Sequence, residues 1–436
     1  MRSKIKDMWL AAMAKELLTF EDNGVWRVVR KPKGAHALHT KWVYKSKMDA
    51  EGAIERLKAR LVACGDEQEF GVDYSVTVSA VIEMSRVKLI FVLARKWLVP
   101  AKHGDVPNTY ANADKEAELD IFLRLPHGMV ILEDALYGLK QAGRLWNQLL
   151  HKTLIKLGFA QSLTDMSGMQ QQAVDAFFGE LAELSIKDLG PANKFLGMRV
   201  TYSEDYDFDQ ELFIEEMLSE HGMVSVDSVR TPIGAESNEI DEASDELLPT
   251  SGGDGVVTVR MFQSLVGSVM WVARCTRPDI AYTVHKASRR THSPTMSNWK
   301  LGKRIARYLA GTKSLRLSMK GQGALEEPLK VIAYSDADFA ADKADKKSKP
   351  TGVSLSAMEA EYTVASVMAT ELLGVRELLG ELGITHASPM SFVSALAKRG
   401  VLKAEFLESE EIPADVLTKA LEAPSLADLR VIVGLH

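Results

Sequence analysis

The sequence predicts a mixed fold with α+β and α/β features, divided into two to four domains. Its 436 residues are 46% hydrophobic and 26% charged, the balance of a globular protein with ample core. Segments 41–47 and 57–63 are β-prone, whereas segments 8–20, 84–98 and 298–310 have the apolar spacing of helices. Strands and helices interleaved along a chain of this length indicate several mixed domains.

Composition argues against several classes of protein. No 18-residue apolar stretch occurs, since 89–101 carries Arg95 and Lys96, so a membrane span is not expected. The first residues lack the apolar core of a signal peptide. Two cysteines, Cys64 and Cys275, can build neither a disulfide framework nor a zinc knuckle. These features favour a reducing, intracellular compartment.

Charge is strongly segregated although the net charge is only −6. Residues 280–325 contain no Asp or Glu, whereas 236–246 is acid-rich and lies in a predicted exposed linker, 234–255. Within the acid-free span, four basic residues follow the i, i+3, i+4, i+7 spacing of one helix face, namely Lys300, Lys303, Arg304 and Arg307. This basic helix face is either a solvated surface or one that binds a nucleic-acid backbone.

A basic hairpin is predicted over residues 41–63. Its strands read Lys-Trp-Val-Tyr-Lys from Lys41 and Lys-Ala-Arg-Leu-Val-Ala from Lys58, and Gly-Val-Asp-Tyr follows at 71–74. Lysine and arginine form charge-assisted hydrogen bonds with phosphate. The hairpin is therefore either a solvated surface or a phosphate-facing one.

Residues 135–146 read Ala-Leu-Tyr-Gly-Leu-Lys-Gln-Ala-Gly-Arg-Leu-Trp. An apolar segment meets Gly138, and Lys140, Gln141 and Arg144 then open a helical pattern. Backbone N–H groups at a helix start, with basic side chains beside them, bind anions. A plain strand-to-helix turn is the alternative interpretation.

This block closely resembles a block of copia-type retrotransposon reverse transcriptases. Similar blocks follow in that family's order from about Trp9 to Leu429, including Arg-Pro-Asp-Ile at 277–280 and Arg-Tyr-Leu-Ala-Gly-Thr at 307–312. The resemblance implies a reverse transcriptase with fingers, palm and thumb, followed by a ribonuclease H-like domain. The implied domains are fingers at 1–101, palm at 102–200, thumb and connection at 201–325, and the ribonuclease H-like domain at 326–436.

The resemblance also implies site residues and ligands. The nucleotide site would contain Lys58, Arg60, Tyr110, Lys140 and Gln141, beside Asp105 as the first metal-binding carboxylate of the palm. The ribonuclease H site would contain Asp336, Glu361 and Asp415. The implied cofactor is Mg²⁺, the implied partners are RNA, DNA, RNA–DNA hybrid and deoxynucleotides, and the implied location is a cytoplasmic particle or the nucleus.

Both predicted catalytic sets are incomplete. Polymerases of this kind use two metal ions ~3.5–4 Å apart, which need several carboxylates, and the family supplies two of these as adjacent aspartates. This chain has no Asp-Asp dipeptide. In the family, the third ribonuclease H acid lies in an Asp-Asn pair after the helix that carries Glu361, but the Asp-Asn pair of this chain is Asp22-Asn23. The family also has two strands between the positions of Gly352 and Glu361, and this chain has too few residues there to form them. The palm is therefore expected to be incomplete and the ribonuclease H-like domain truncated.

Four interpretations follow from these gaps. The leading one is a polymerase-derived chain that has lost catalysis through internal deletions. A non-catalytic nucleic-acid-binding remnant and an unfolded pseudogene product are alternatives. An active enzyme is the fourth, if the gaps are gene-model splices that skip coding sequence.

Overall fold

A computed structural model describes residues 2–30, 32–48, 54–79, 83–125, 128–158, 179, 184–234, 245–253, 255–320, 329, 331–334, 357–382, 384 and 412–436. The chain forms two compact units. Unit 1 comprises Met1–Ile82, His103–Gln161 and Met169–Gly190. Unit 2 comprises Glu83–Lys102, Ser162–Gly168 and Pro191–His436.

Helices and strands alternate along the chain. In chain order they are α1 (Arg2–Asp22), β1 (Trp26–Val28), β2 (Ala37–Met48), β3 (Ile54–Ala63), α2 (Met84–Lys96), β4 (Lys102–Asp105), β5 (Phe122–Leu125), β6 (Gly128–Leu132), α3 (Ala142–Lys156), β7 (Lys187–Pro191), β8 (Lys194–Phe195), β9 (Met198–Tyr202), β10 (Tyr206–Asp209), α4 (Glu211–Glu220), α5 (Val259–Cys275), α6 (Ala281–Ser288), α7 (Met296–Thr312), β11 (Leu317–Met319), α8 (Ala357–Glu381), α9 (Asp415–Thr418) and α10 (Ala423–Ile432). The predicted helices at 8–20, 84–98 and 298–310 and the predicted hairpin at 41–63 are confirmed as α1, α2, α7 and β2–β3.

Unit 1 is organised around a sheet with the strand order β1-β6-β5-β2-β3 in its described part. The β2–β5 pair is parallel and the other pairs are antiparallel. Alternate residues of β3 from Leu57 to Ala63 are buried, as expected when one face of a strand meets the core. Lys58 and Arg60 lie between them and are partly exposed. The basic residues of the hairpin therefore stand on the face of β3 opposite its buried residues.

Unit 2 contains a helical core and a small antiparallel sheet with the order β11-β10-β9-β8. The apolar stripes of α5 and α7 meet in the helical core through residues such as Phe262, Leu265, Ile305 and Tyr308. Helix α7 begins at a capping box, in which Asn298 Oδ1 accepts a hydrogen bond from the backbone N–H of Thr295 at 2.9 Å. The amphipathic pattern read from the sequence thus packs as predicted.

A buried ionic network ties the segment before α6 to the end of α7. Arg277 is fully buried and donates from Nε and Nη2 to the two oxygens of Asp279, at 2.9 and 2.8 Å. The Tyr308 hydroxyl donates to Asp279 Oδ2 at 2.6 Å, and Arg277 Nη1 donates to the carbonyl of Thr312 at 2.8 Å. The 277–280 and 307–312 blocks are therefore parts of one polar cluster inside the core.

The described parts of residues 326–436 belong to unit 2. Leu372 and Leu379 of α8 pack with Leu93 of α2. Leu426 of α10 joins the helical core, and the last residue, His436, exchanges two backbone hydrogen bonds with Arg316 at 2.7 and 2.9 Å. The C-terminal residues thus complete the packing around the helices that precede them.

One part of the predicted exposed linker at 234–255 is packed. Leu248 is buried in the helical core, and its backbone N–H donates to the carbonyl of Pro294 at 2.8 Å. Leu248 explains this difference, because its burial outweighs the acidic character of the surrounding stretch. Residues 235–244 lie outside the described residues. In the described ranges, no helix is long and apolar enough to cross a bilayer.

Candidate nucleotide site

The turn at 136–139 is pressed against the end of β3 in unit 1. The backbone N–H of Ala63 donates to the carbonyl of Tyr137 at 2.8 Å. Gly138 has φ +95°, and a Cβ atom at this position would lie 2.1 Å from the oxygen of Ala63. A side chain would therefore meet both a disfavoured backbone conformation and a backbone clash. The glycine that breaks the motif is needed for this contact.

A buried amide network holds the start of α3 to the segment after β3. Gln141 is fully buried and donates from Nε2 to the carbonyl of Asp73 at 2.9 Å. Its Oε1 accepts from Gln68 Nε2 at 3.0 Å. The Asp73 carboxylate, also buried, contacts His36 Nδ1 at 2.7 Å and accepts from the backbone N–H of Glu69 at 2.9 Å. Gln141 is thus occupied with the surrounding fold.

Lys140 and Arg144 belong to the same network. The backbone N–H of Lys140 donates to Gln68 Oε1 at 2.7 Å, so this group is not available to an anion. The Lys140 ammonium lies 4.5 Å from the centre of the Tyr74 ring and remains exposed. Arg144 forms an ion pair with Glu116 and donates to the carbonyl of Val76 at 2.8 Å. For residues 135–146, these contacts favour the structural turn over the anion-binding turn.

A second cluster gathers around Tyr137 in unit 1. The Arg60 guanidinium lies 4.6 Å from the centre of the Tyr137 ring, and the Tyr110 ring packs edge-on at 5.1 Å. Burial raises the pKa of Tyr137, Arg60 opposes that rise, and the charges of Glu16 and Asp105 add to it. Arg60 and Tyr110, both implied by the resemblance, thus pack against one ring, that of Tyr137.

The described residues do not fit a two-metal centre. Among them, no group of three His, Cys, Asp or Glu side chains is arranged to hold a metal ion. Asp105 lies at the exposed end of β4. Asp336 lies outside the described residues, as does the side chain of Glu361 in α8. Asp415 is buried in unit 2, and its Oδ1 accepts from Lys419 Nζ at 2.9 Å.

The predicted basic face of α7 in unit 2 divides into two pairs. Lys300 and Lys303 are exposed. Arg304 donates to Thr231 Oγ1 at 3.3 Å, and Arg307 donates to the carbonyl of Asp227 at 2.7 Å. The arginines therefore fasten the 227–231 segment to the helix, a role that helical spacing alone does not predict.

Three residues at the site were not selected from the sequence: Glu16, Glu116 and Tyr137. Tyr137 stood within the predicted motif, but a tyrosine before a glycine carried no separate signal. Glu116 pairs with Arg144, which lies 28 residues later, and no local sequence pattern predicts a contact at that separation. Glu16 had a usable signal, because it falls among Trp9, Met13 and Phe20 at the spacing of a packed helix face.

Comparison with known proteins supports the resemblance seen in the sequence. The profile described as reverse transcriptase (RNA-dependent DNA polymerase) matches residues 23–174. The retrovirus-related Pol polyprotein from transposon TNT 1-94 of Nicotiana tabacum is 28% identical over 99% of this chain and 38% of its own length. The corresponding polyprotein from transposon RE1 of Arabidopsis thaliana is 29% identical over 88% of this chain and 29% of its own length. These matches support a copia-type retrotransposon polyprotein.

The chain covers only part of its relatives, and the alignment also contains gaps. The chain spans 38% and 29% of the lengths of the tobacco and Arabidopsis polyproteins. The alignment with the tobacco polyprotein also extends over 516 positions, more than the 436 residues of this chain. The relative therefore carries residues inside the aligned stretch that this chain lacks, in keeping with the gaps read from the sequence. A putative transposon Ty5-1 protein of Saccharomyces cerevisiae is 27% identical over 54% of this chain and 83% of its own length.

Proposed function

We propose that this chain is a reverse transcriptase and ribonuclease H remnant that retains a phosphate-binding surface and has lost both catalytic activities. Residues 1–101 would form the fingers, 102–200 the palm, and 201–325 the thumb and connection. Residues 326–436 would form a truncated ribonuclease H-like domain. The observation that carries the proposal is a contrast in unit 1. Arg60 and Tyr110 pack against Tyr137, whereas the described residues include no three-ligand metal group.

The chemistry explains why this contrast matters. Phosphoryl transfer by two metal ions needs a carboxylate cluster that fixes both ions and the reacting oxygens. Neither the described residues nor the sequence, which has no Asp-Asp dipeptide, supplies that cluster in the palm. A cationic side chain stacked on a tyrosine, in contrast, binds a phosphate without a metal.

Primer extension on an RNA template with Mg²⁺ tests the loss of polymerase activity. We expect the wild-type chain and D105N to give the same background, because a single carboxylate cannot hold two ions. Cleavage of the RNA strand of an RNA–DNA hybrid should likewise be absent. Synthesis that depends on Asp105 would overturn the proposal and favour an active enzyme.

A second candidate function is duplex binding through the exposed lysines of α7 in unit 2. Lys300 and Lys303 lie within the acid-free span 280–325, and each phosphate contact adds about 0.9 to the slope of log K against log salt. We expect K300Q/K303Q to weaken binding to an RNA–DNA hybrid and to reduce that slope by roughly 2. K194Q, which alters an exposed lysine on β8, is the control. Unchanged affinity and slope in the double variant would exclude this surface.

A further inference from the structure

Unit 2 contains a cavity of about 460 Å³. Its described walls come from the start of α2, the second half of α8, and the segments 331–334 and 413–417. Cavities that bind small molecules have volumes of about 300–1,000 Å³. Asp415, the implied ribonuclease H acid whose side chain is described, is not among the lining residues. The proposed function gives this cavity no role.

The walls of the cavity are mainly apolar. Helix α8 contributes one face to them, on which apolar residues recur every three or four positions, namely Met368, Leu372, Val375 and Leu378. Val331 and Val433 line the cavity with this face. An empty apolar cavity destabilises a fold, because the atoms of its walls lack the contacts that a packed core provides.

Gly374 leaves part of this space open. It lies within α8 and lines the cavity, and a Cβ atom at its position would have no described heavy atom within 4 Å. Its φ is not positive, so the backbone does not require glycine there. Inside a helix, glycine is less favourable than alanine. The chain thus has a helix-weakening residue at a point where a side chain would fit and would fill the cavity.

The polar groups of the lining favour a neutral ligand. Among the described lining residues, the charged ones are Arg86 and Glu371, which have opposite signs, and Ser85 and Tyr334 add hydroxyl groups. Ser85, Tyr334 and Glu371 are exposed, so these polar groups lie at the rim of the cavity. An ion inside would lose its hydration against apolar walls with no single sign of charge to replace it.

We propose that this cavity binds a neutral, mainly apolar small molecule of about two or three rings, for which Gly374 provides room. An apolar cavity of about 150 Å³ takes up benzene. A volume of about 460 Å³ therefore accommodates about three times as many carbon atoms. This inference goes beyond the proposed function, because such a ligand needs neither a metal ion nor a nucleic acid.

The probe is N-phenyl-1-naphthylamine, a neutral aromatic molecule whose fluorescence rises in apolar surroundings. Titration of the full chain should show saturable binding. G374L places an apolar side chain in the cavity and should weaken binding about tenfold, the effect of losing the contacts of about two methylene groups. The matched control is G380L. Gly380 is exposed on the same helix, is not in the described lining, and likewise has no described atom within 4 Å of a Cβ position.

Thermal unfolding separates filling of the cavity from damage to the fold. Both variants remove a glycine from α8, but only G374L fills the cavity, so its unfolding midpoint should lie above that of G380L. G374A adds one methyl group and should weaken binding less than G374L. A midpoint for G374L below that of G380L would contradict the open space at Gly374.

The binding results decide the rest. No saturable binding to the wild-type chain, or equal affinity in G374L and G380L, would overturn the proposed site. Tighter binding of the anion 8-anilinonaphthalene-1-sulfonate than of the neutral probe would overturn the assignment of a neutral ligand.

Discussion

Replacing Gly138 by alanine tests whether the turn at 136–139 must touch β3. The substitution adds one methyl group at φ +95°, 2.1 Å from the oxygen of Ala63. Real Cβ atoms almost never approach another heavy atom below 3.0 Å, so the turn must move. Movement would break the hydrogen bond from Ala63 to Tyr137.

The magnitude has two parts. The left-handed backbone conformation costs a non-glycine residue about 1–2 kcal/mol. Loss of the 2.8 Å hydrogen bond, with two backbone groups left poorly paired, adds about 1–3 kcal/mol. We therefore expect G138A to lower the unfolding free energy of unit 1 by about 3 kcal/mol. Gly24 provides a matched control, because its φ is +68° but no atom lies within 4 Å of the place where a methyl group would stand. G24A should show the conformational part only.

Hydrogen exchange followed by mass spectrometry measures this effect locally, which matters because a two-unit chain does not have to unfold in one step. Peptides that cover 57–65 and 136–145 should lose protection in G138A and keep most of it in G24A. Peptides from α5 and α7 in unit 2 serve as the internal reference. Equal protection in the two variants would refute the close approach of the turn to β3.

Two further predictions concern ionisable groups. D279N should destabilise unit 2 by about 3–5 kcal/mol in urea denaturation, because it leaves buried Arg277 without its counter-charge; an unchanged midpoint would contradict the buried pair. D134N should stabilise unit 1 by about 1 kcal/mol at pH 7, a figure reduced for partial solvent screening. Burial and then Asp114 raise the pKa of Asp134 from 3.8 to about 6. The unfolded chain therefore loses this proton first, and wild-type stability falls as pH rises from about 4 to about 6. The advantage of D134N should vanish near pH 4, and a gain that is constant with pH would count against this assignment.

Local patterns predicted the regular elements well. In β3 apolar residues alternate with polar ones, and in α7 they follow helical spacing, so each pattern indicates which side of the element faces a core. In the structure those sides are buried. The resemblance implied that Arg60 and Tyr110 belong to one site, which no spacing in the sequence indicates, and the structure packs both against Tyr137. The coarse fold could therefore be predicted from pattern and family together.

Long-range polar contacts were beyond prediction. The resemblance implies a nucleotide-binding role for Lys140 and Gln141, and the structure shows the Lys140 backbone N–H and the Gln141 amide bonded to Gln68 and Asp73, about 70 residues earlier. Arg307 likewise fitted a basic stripe, yet it bonds the backbone of Asp227. Helical spacing reports the direction of a side chain and says nothing of which distant backbone groups it meets.

The buried network of Arg277, Asp279, Tyr308 and Thr312 has a consequence for how degenerate copies of such elements are recognised. These side chains satisfy one another inside the core of unit 2, so the loss of a single member destabilises the fold whether or not the chain retains an enzyme's activity. Searches that score the 277–280 and 307–312 blocks therefore respond to residues that stabilise the core of unit 2. They cannot separate working polymerases from chains that selection keeps for some other property, or merely tolerates.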